Sequence, residues 1–320
     1  MADIKLRISV IIPARNEEKV IGHCLDSLTR QDLPGDAFEV ILVDNGSTDR
    51  TLEVARAFTR SLNLAILQKP AVHVSALRNF GASGARGKIL AFLDADCLAP
   101  SRWLTLAGAR LAQHGVGVVG AHYRIPDNSR WVARAWYGGV ELEKTGDISW
   151  VPAGDLIVTR STFDRVGGFD ESLQTNEDCE FCERVRAAGF SIIGDPAVAV
   201  THLGTPQTLG AFYRKIRWHA TDGLRVFLRE LPGLSNARPV FFAFYTLICL
   251  VGIGWGVARG ISQQRLDVLV SSLLALILPS FILSLRLVWR RKKWGYLLPV
   301  TLLHIVFGLA RARALLGFNP

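Results

Sequence analysis

Two aspartates stand one residue apart at the end of a short apolar run. Asp94 and Asp96 follow the segment Ile89–Leu93, which contains no polar residue. Such a segment predicts a strand covered on both faces, so the two carboxylates are expected at its exposed tip. Mg²⁺ prefers carboxylate oxygens, and a cation bound there can hold a diphosphate. The spacing therefore predicts a metal site; the alternative is an acidic, solvated loop.

Carboxylates also stand at two other predicted boundaries. Asp44 follows a second apolar run and begins an Asp-Asn-Gly sequence, which by itself is typical of a turn. Glu177 and Asp178 open a predicted helix, where Thr175 and Asp178 also fit a capping box. Taken alone, each of these carboxylates fits a purely structural role.

Short apolar runs alternate with amphipathic segments in the first part of the chain. Strands are predicted over 8–13, 38–43, 64–67 and 88–93, with helices between them over 20–28, 52–58 and 74–85. A strand over 156–158, a brief helix over 162–166, a helix over 177–188 and a strand over 192–200 follow. This order predicts an α/β fold with a doubly wound, mostly parallel sheet, whose ligands bind at the carboxyl ends of the strands.

The end of the chain is too apolar for a soluble domain. The protein is 49% hydrophobic with a mean hydropathy of +0.25. Three apolar stretches, 240–258, 266–288 and 294–310, are each near the ~20 residues that span a bilayer. The preceding segment 209–231 is amphipathic and suits the membrane interface. Pro299 and His304 interrupt the third stretch, so a re-entrant segment is an alternative there.

These patterns divide the chain into three regions. A soluble domain is predicted over 1–205, interfacial amphipathic helices over 206–238 and a transmembrane domain over 239–320. The most basic loop, 290–293, is expected in the cytosol because positive charge marks the cytosolic side. We therefore predict a multi-pass membrane protein whose soluble domain is cytosolic.

Charge and cysteine content exclude other classes of protein. The net charge is +9, but the first 200 residues contain no run of Lys or Arg interleaved with aromatic residues, so no nucleic-acid partner is expected. The basic residues lie near the apolar stretches, which favours an anionic membrane surface as partner. Five cysteines make no disulfide framework, and Cys179 and Cys182 lack the second pair that a zinc site needs.

Four motifs occur in the order and approximate spacing found in the inverting family 2 glycosyltransferases. About the first 220 residues of the chain resemble that family. They read IIPARNEE at 11–18, VDNGSTD at 43–49, LDAD at 93–96 and NED at 176–178. The resemblance implies a GT-A fold, of the nucleotide-diphospho-sugar transferase type. It also implies a role for each matching position.

The implied donor site begins at the second strand. Asp44 matches the residue that hydrogen-bonds the nucleobase, often uracil, and a carboxylate can only accept such bonds. Arg78 and Asn79 resemble the Arg-Asn-x-Gly stretch beside the diphosphate. The implied donor-binding residues of this domain are Pro13, Ala14, Arg15, Glu17, Asp44, Asn45, Arg78, Asn79, Asp94 and Ala95.

The implied catalytic residues surround a divalent cation, Mg²⁺ or Mn²⁺. Asp96 matches the principal metal ligand, and Asp94 contacts the ribose or supports the metal. His202 falls where several metal-dependent relatives have a third ligand, although a lone histidine is as often structural. Asp178 matches the general base that deprotonates the acceptor hydroxyl, and Glu177 shares the site.

A further motif lies in the amphipathic segment. Arg214, Arg217 and Trp218 resemble the (Gln/Arg)-x-x-Arg-Trp motif of membrane-bound glycan synthases, with Arg at the first position. Arginine suits a diphosphate and indole suits a sugar face. The alternative is a basic interfacial helix with a tryptophan anchor.

The expected activity is transfer of one sugar from a nucleotide-sugar donor, with UDP as the expected nucleotide, to a lipid-linked or glycan acceptor. A sugar nucleotidyltransferase and a non-catalytic membrane scaffold are the alternatives. Four aromatic residues are expected to line the acceptor side, or else to be core or membrane-facing: Trp131, Trp136, Tyr137 and Trp150.

Overall fold

A computed structural model describes residues 8–138, 144–221, 228, 237–263 and 266–317. These residues form two compact units. The first contains described residues up to 127 together with 144–205, and the second contains 128–138 together with the described residues from 206 onward. The second unit is therefore built from two separate stretches of the chain.

An eight-stranded sheet in the order β3-β2-β1-β4-β8-β6-β9-β7 forms the centre of the first unit. Its strands are β1 (Ile8–Ala14), β2 (Phe38–Asp44), β3 (Leu64–Gln68), β4 (Ile89–Leu93), β6 (Val116–Gly120), β7 (Gly146–Asp147), β8 (Asp155–Thr159) and β9 (Ser191–Gly194). A separate antiparallel pair consists of β5 (Cys97–Leu98) and β10 (Thr201–His202). The helices are α1 (Ile21–Thr29), α2 (Thr51–Arg56), α3 (Val74–Gly84), α4 (Trp103–Leu111), α6 (Arg160–Val166) and α7 (Glu177–Ala187).

The predicted α/β fold with a mostly parallel sheet is confirmed, and the sheet also contains antiparallel pairs. Strands β3, β2, β1 and β4 run parallel, while β8 runs antiparallel to both of its neighbours. Every residue of β1 and β2 is buried, which explains why both strands are continuous apolar runs and not alternating ones. Helix α3 packs on this sheet at Gly81, where a Cβ atom would approach Ile11 Cγ2 to 2.5 Å.

One strand prediction is wrong in its length. The strand predicted over 192–200 ends at Gly194, and Pro196–Val198 forms a 3₁₀ turn. Proline cannot donate a ladder hydrogen bond, and the side chain of Asp195 accepts a hydrogen bond from Ala197 N, which caps the turn. His202 consequently lies in the short strand β10 and not after a longer one.

The second unit is helical. It contains α5 (Trp131–Trp136), α8 (Leu209–His219), α9 (Ala237–Gln263), α10 (Asp267–Arg291) and α11 (Leu297–Leu315). Within the part of the chain that the structure describes, three segments are long and apolar enough to cross a membrane: Arg238–Gly260, Asp267–Arg291 and Trp294–Leu315. Much of the predicted amphipathic helix beyond residue 221 lies outside the described residues.

Helix α11 is continuous despite two residues that disfavour a membrane helix. Pro299 lies in its first turn, where a backbone N–H has no intrahelical partner in any case. His304 Nδ1 lies 2.7 Å from the Ser284 hydroxyl of α10, so its imidazole has a hydrogen-bonding partner between the helices. The interruption seen in the sequence is therefore accommodated within one helix.

The short helix α5 belongs to the core of the second unit. The ring of Trp136 stacks on Phe307 of α11 with 5.4 Å between centroids, and it lies 4.9 Å from the ring of Phe212 in α8. Val132 and Ala135 are buried in the same cluster. For Trp136, the structure thus selects the core alternative that the sequence left open.

Candidate active site

The carboxyl ends of β1 and β2 bring several predicted donor-site residues to one edge of the sheet. Ala14 pairs with Asp44 in the β1–β2 register, and the backbone N–H of Asn45 donates to Ala14 O at 2.9 Å. Asp94 follows β4, which pairs with β1 on its other side. Pro13 is buried within β1, while Arg15 is exposed just beyond it.

Asp44 forms the turn that its sequence context suggested. Its carboxylate is fully buried and accepts hydrogen bonds from the backbone N–H groups of Gly46 and Ser47 at 3.0 and 3.1 Å. Asn45 exchanges two hydrogen bonds with the backbone of Val72, which holds the turn against the loop after β3. The turn is thus a fixed feature of the sheet edge; contact with a nucleobase stays a prediction.

Asn79 has a structural role in the described geometry. Its amide donates to Phe169 O at 2.9 Å and accepts from Phe169 N at 2.9 Å, so it pins the loop after α6. Its Nδ2 also lies 3.0 Å from Glu171 Oε1. Both side-chain atoms of Asn79, Nδ2 and Oδ1, therefore have hydrogen-bonding partners.

Arg78 is the centre of the site. It is 3% exposed, and its two terminal nitrogens each lie 2.7 Å from a carboxylate, one from Asp94 and the other from Glu177. Burial alone would raise the pKa of Asp94, but the positive charge of Arg78 holds that pKa below its ordinary value. One guanidinium thereby joins α3, the end of β4 and the start of α7.

A second residue supports Asp94 from the other side. Tyr123 donates its hydroxyl hydrogen to Asp94 Oδ2 at 3.1 Å and accepts one from Gly154 N at 3.1 Å. A Cβ atom at Gly154 would lie 2.2 Å from Asp94 Oδ2, so only glycine permits this approach. Sequence reasoning missed both residues, because Tyr123 and Gly154 stand outside the four motifs.

Asp94, Asp96, Cys97 and His202 form a group of possible metal ligands. Their ligand atoms all lie within 4.8 Å of one another, and His202 Nε2 is 3.6 Å from Asp96 Oδ2. Ligands of a six-coordinate Mg²⁺, each about 2.1 Å from the ion, are about 3–4.2 Å apart. The 3.6 Å between His202 and Asp96 lies in this range, whereas the 4.8 Å limit for the whole group lies slightly above it. The two carboxylates and the imidazole are suitable donors for Mg²⁺ or Mn²⁺.

The small sheet explains how distant residues form this group. His202 of β10 pairs with Cys97 of β5, and Leu203 N donates to Asp96 O at 2.8 Å. A Cβ atom at Gly204 would lie 2.0 Å from Asp96 Oδ2, so the chain passes directly over the carboxylate. Pairing between two-residue strands gives no periodic signal, which is why the sequence did not predict it.

Glu17 lies close to the same aspartates. Burial, followed by the charges of Asp96 and Asp94, raises the pKa of the half-buried Glu17 carboxyl to about 7. The site therefore gathers more carboxylates than its single buried arginine neutralises. A bound divalent cation would relieve this repulsion.

Asp178 is the second residue of helix α7, directly after Glu177. The N-cap residue is Asn176, in the left-handed region with φ 64°, and no side-chain bond caps the helix there. Asp178 Oδ1 instead accepts from Cys179 N at 2.8 Å. Burial, followed by the charge of Glu177, raises the pKa of Asp178 to about 7.

Arg214, Arg217 and Trp218 lie on α8 in the second unit. Arg214 and Trp218 are exposed, and Arg217 is half-buried. The buried face of this helix is formed instead by Phe212 and Ile216. The contact of Arg214 and Arg217 with a diphosphate stays a prediction, as does the contact of Trp218 with a sugar.

The mostly parallel sheet, its acidic edge and the helices around it make a GT-A-like α/β fold. The profile of Glycosyl transferase family 2 matches residues 9–169, and the chain belongs to that family. Membership of this family agrees with the resemblance that the four sequence motifs indicated.

Known proteins of this kind are similar over much of the chain. Glycosyltransferase AglE of Haloferax volcanii is 34% identical over 191 residues, which cover 58% of this chain and 63% of AglE. The crystal structure of S. aureus TarS 1-349 in complex with UDP-GlcNAc is 25% identical, with a TM-score of 0.52, and the match covers 68% of this chain and 66% of that one. The chain thus spans less than two thirds of the length of AglE.

A third protein shares the fold over almost the whole chain. The mannosyltransferase PcManGT from Pyrobaculum calidifontis, in complex with GDP-Man and Mn²⁺, has a TM-score of 0.61 at 22% identity. The match covers 95% of this chain and 87% of PcManGT. At 22% identity, this similarity shows a shared fold and nothing more.

Proposed function

We propose that the protein is a membrane-anchored, metal-dependent, inverting glycosyltransferase that moves one sugar from a UDP-sugar to a lipid-linked or glycan acceptor. The observation that carries the proposal is the position of Arg78 between Asp94 and Glu177. This bridge joins the metal-ligand group to the start of the helix that bears Asp178.

The donor is proposed to lie along the carboxyl ends of β1, β2 and β4. Asp44 and Glu17 face the nucleoside, and Arg15 and Asn45 flank it. UDP is favoured over other nucleotides because TarS, which is 25% identical to this chain, has been crystallised with UDP-GlcNAc.

Asp96, Asp94 and His202 are the proposed ligands of Mg²⁺ or Mn²⁺. When bound, the cation would neutralise charge on the leaving nucleoside diphosphate. The buried Arg78 keeps Asp94 ionised, and Tyr123 orients the second oxygen of the same carboxylate. Both contacts hold the Asp94 carboxylate in one orientation in the absence of an ion. This reduces the conformational entropy that would be lost when an ion binds.

Asp178 is proposed as the general base, in preference to Glu177. Glu177 Oε1 already accepts a charge-assisted hydrogen bond from Arg78, so this oxygen is less available to an acceptor hydroxyl. Burial and the neighbouring charge raise the pKa of Asp178 to about 7, so the group is suited to taking a proton at neutral pH. The deprotonated acceptor hydroxyl then attacks the anomeric carbon directly, and the nucleoside diphosphate leaves with the bonding electrons.

A donor screen on the full-length enzyme tests the reaction. With Mn²⁺ present, UDP should be released from one UDP-sugar in the presence of an acceptor, and no pyrophosphate should appear. Release of pyrophosphate, or no turnover with any nucleotide sugar, would contradict the proposal.

The base assignment has its own test. Asp178→Asn should abolish transfer while calorimetric affinity for UDP with Mn²⁺ changes less than about twofold. Asp164→Asn is the matched control, because Asp164 is exposed on α6 and its removal should leave transfer unchanged. Loss of transfer and UDP affinity together in Asp178→Asn would assign Asp178 a structural role instead.

The membrane setting rests on the three long apolar helices. We propose that all three cross the bilayer, with the catalytic domain and the basic loop 290–293 in the cytosol. A lipid-linked acceptor in the same membrane would then be on the same side of the bilayer as the catalytic domain. Reconstituted full-length enzyme should prefer a lipid-linked acceptor over its soluble analogue; equal rates with both would remove the lipid from the proposal.

A further inference from the structure

A buried carboxylate lies close to the metal-ligand group and takes no part in the proposed reaction. Asp155 is the first residue of β8, is fully buried, and pairs in the sheet with Leu93, the residue directly before Asp94. The residues that follow it in β8, 156–158, are apolar and buried. Burying a carboxylate costs free energy unless hydrogen bonds compensate for it, so its partners indicate what it does.

Both oxygens of Asp155 accept hydrogen bonds from other parts of the chain. The indole Nε1 of Trp103, in α4, donates to Oδ1 at 2.8 Å, and the backbone N–H of Val200 donates to Oδ2 at 3.3 Å. Burial raises the pKa of Asp155 to about 8, and the two bonds act in the opposite direction by favouring the carboxylate. The bond from Val200 leads toward the metal-ligand group, because Val200 stands two residues before His202.

The segment Val200–His202 depends on individual hydrogen bonds for its position. A 3₁₀ turn over Pro196–Val198 precedes it, and β10 contains only two residues. Val200 O accepts from Arg124 N at 2.9 Å, and His202 N donates to Arg124 O at 3.0 Å. With the bond to Asp155, both backbone polar groups of Val200 are therefore paired, one with β8 and the other with residue 124.

The position of Val200 affects where the imidazole of His202 lies. His202 Nε2 is 3.6 Å from Asp96 Oδ2, and the His202 ring contacts the ring of Tyr123 with 4.6 Å between centroids. Metal–ligand distances vary by only about 0.2 Å in well-formed sites. A backbone shift at Val200 that exceeds this tolerance would therefore weaken the contact between His202 and an ion held by Asp94 and Asp96.

We propose that Asp155 is a positioning residue for the metal centre. By accepting the N–H of Val200, it holds His202 where a divalent cation bound to Asp94 and Asp96 can reach it. Asp155 is also tied to Asp94 through the pairing of β8 with β4, so one residue sets two ligand-bearing segments relative to each other. The inference rests on the metal ligands of the proposed function but not on the identity of the sugar or the acceptor.

Two neutral replacements of Asp155 provide a matched pair. Both are made together with Trp103→Phe, which removes the indole donor and leaves the Val200 N–H as a donor to this side chain. Asparagine keeps an oxygen that can accept from Val200 N, whereas leucine has a similar branched shape and no acceptor. The two double variants share the loss of the carboxylate and differ in the hydrogen bond to Val200.

Binding of Mn²⁺ alone is measured by electron paramagnetic resonance on the full-length protein in detergent, with no nucleotide present. The variant with Asp155→Asn should bind Mn²⁺ within about threefold of Trp103→Phe itself. The variant with Asp155→Leu should bind at least about tenfold more weakly, the usual effect of losing a residue that orients a ligand. Asp155→Ala in the same background is too small to clash with the core and should show the same loss if leucine prevents folding. Equal affinities in variants with and without the acceptor would overturn the proposal.

Removal of His202 should abolish the difference between the two replacements. If Asp155 acts through His202, the asparagine and leucine variants should bind Mn²⁺ within about twofold of each other once His202→Ala is added, because the two sites are coupled. A tenfold difference that persists without His202 would indicate a general effect on folding and refute the positioning role.

The outcomes separate this inference from the proposed function. Wild-type protein that binds no Mn²⁺ would disprove the metal centre itself. Wild-type protein that binds Mn²⁺ and transfers sugar, while the asparagine and leucine variants bind Mn²⁺ equally, would disprove the role of Asp155 alone.

Discussion

Replacement of Arg78 by methionine should destabilise the first unit more than any exposed arginine would. Methionine has a similar length and fills the buried space, but it leaves the carboxylates of Asp94 and Glu177 without their common partner. The side chains of these two acids are 27% and 10% exposed, so water only partly replaces the lost guanidinium.

The size of the effect follows from this burial. Removing one partner of a buried ion pair costs about 3–5 kcal/mol, because the other charge is left uncompensated. For a unit of this size that corresponds to a fall of about 6–20 °C in Tm. Arg78 lowers the pKa of Asp94, so this stabilisation is complete above the ordinary Asp range and is lost only as the pH falls through the lowered value.

Thermal unfolding in detergent with EDTA at pH 7.5 measures the loss without any contribution from metal. Arg50→Met is the control, since Arg50 pairs with Glu53 at a site where both side chains are about two-thirds exposed. Such a pair contributes about 0–1 kcal/mol. A Tm for Arg78→Met no lower than that of Arg50→Met would refute the buried bridge.

Chelation with EDTA should abolish transfer, and Mn²⁺ or Mg²⁺ should restore it; full activity in EDTA would refute metal dependence. Because a base must be ionised, kcat/KM should rise with pH around the raised pKa of Asp178, about 7, and a flat profile from pH 6 to 8 would contradict that assignment. Gly204→Ala should weaken Mn²⁺ binding about tenfold or more, because its Cβ would lie 2.0 Å from Asp96 Oδ2. Gly108→Ala, with no atom within 4 Å of the added carbon, should leave calorimetric Mn²⁺ affinity unchanged.

The parallel half of the sheet could be predicted because its strands are buried on both faces. Ile8–Ala14 and Phe38–Asp44 are mostly apolar, show no regular alternation and are followed by polar turns, a pattern that strongly favours buried parallel strands. The positions of Asp44 and Asp94 at the strand ends followed directly. The helical spacing of apolar residues after Asp178 likewise predicted its position at a helix start.

Contacts between residues far apart in the chain could not be predicted. Tyr123 reaches Asp94 only because β4 and β6 both pair with β8. The bond between Arg78 and Glu177 likewise depends on packing between elements and on no local pattern. Trp136 was ambiguous because an aromatic residue suits a sugar site, a core and a membrane equally well.

The place of α5 in the chain has a consequence for synthesis. Trp136 leaves the ribosome long before Phe307, the residue on which it stacks. At about 5–20 residues per second, the delay is on the order of ten to thirty seconds. During that interval the apolar face of α5, with Val132 and Ala135, has no final partner in α11. Until α11 is made, Phe212 of α8 is the partner already available to Trp136, so this part of the core is completed in two steps.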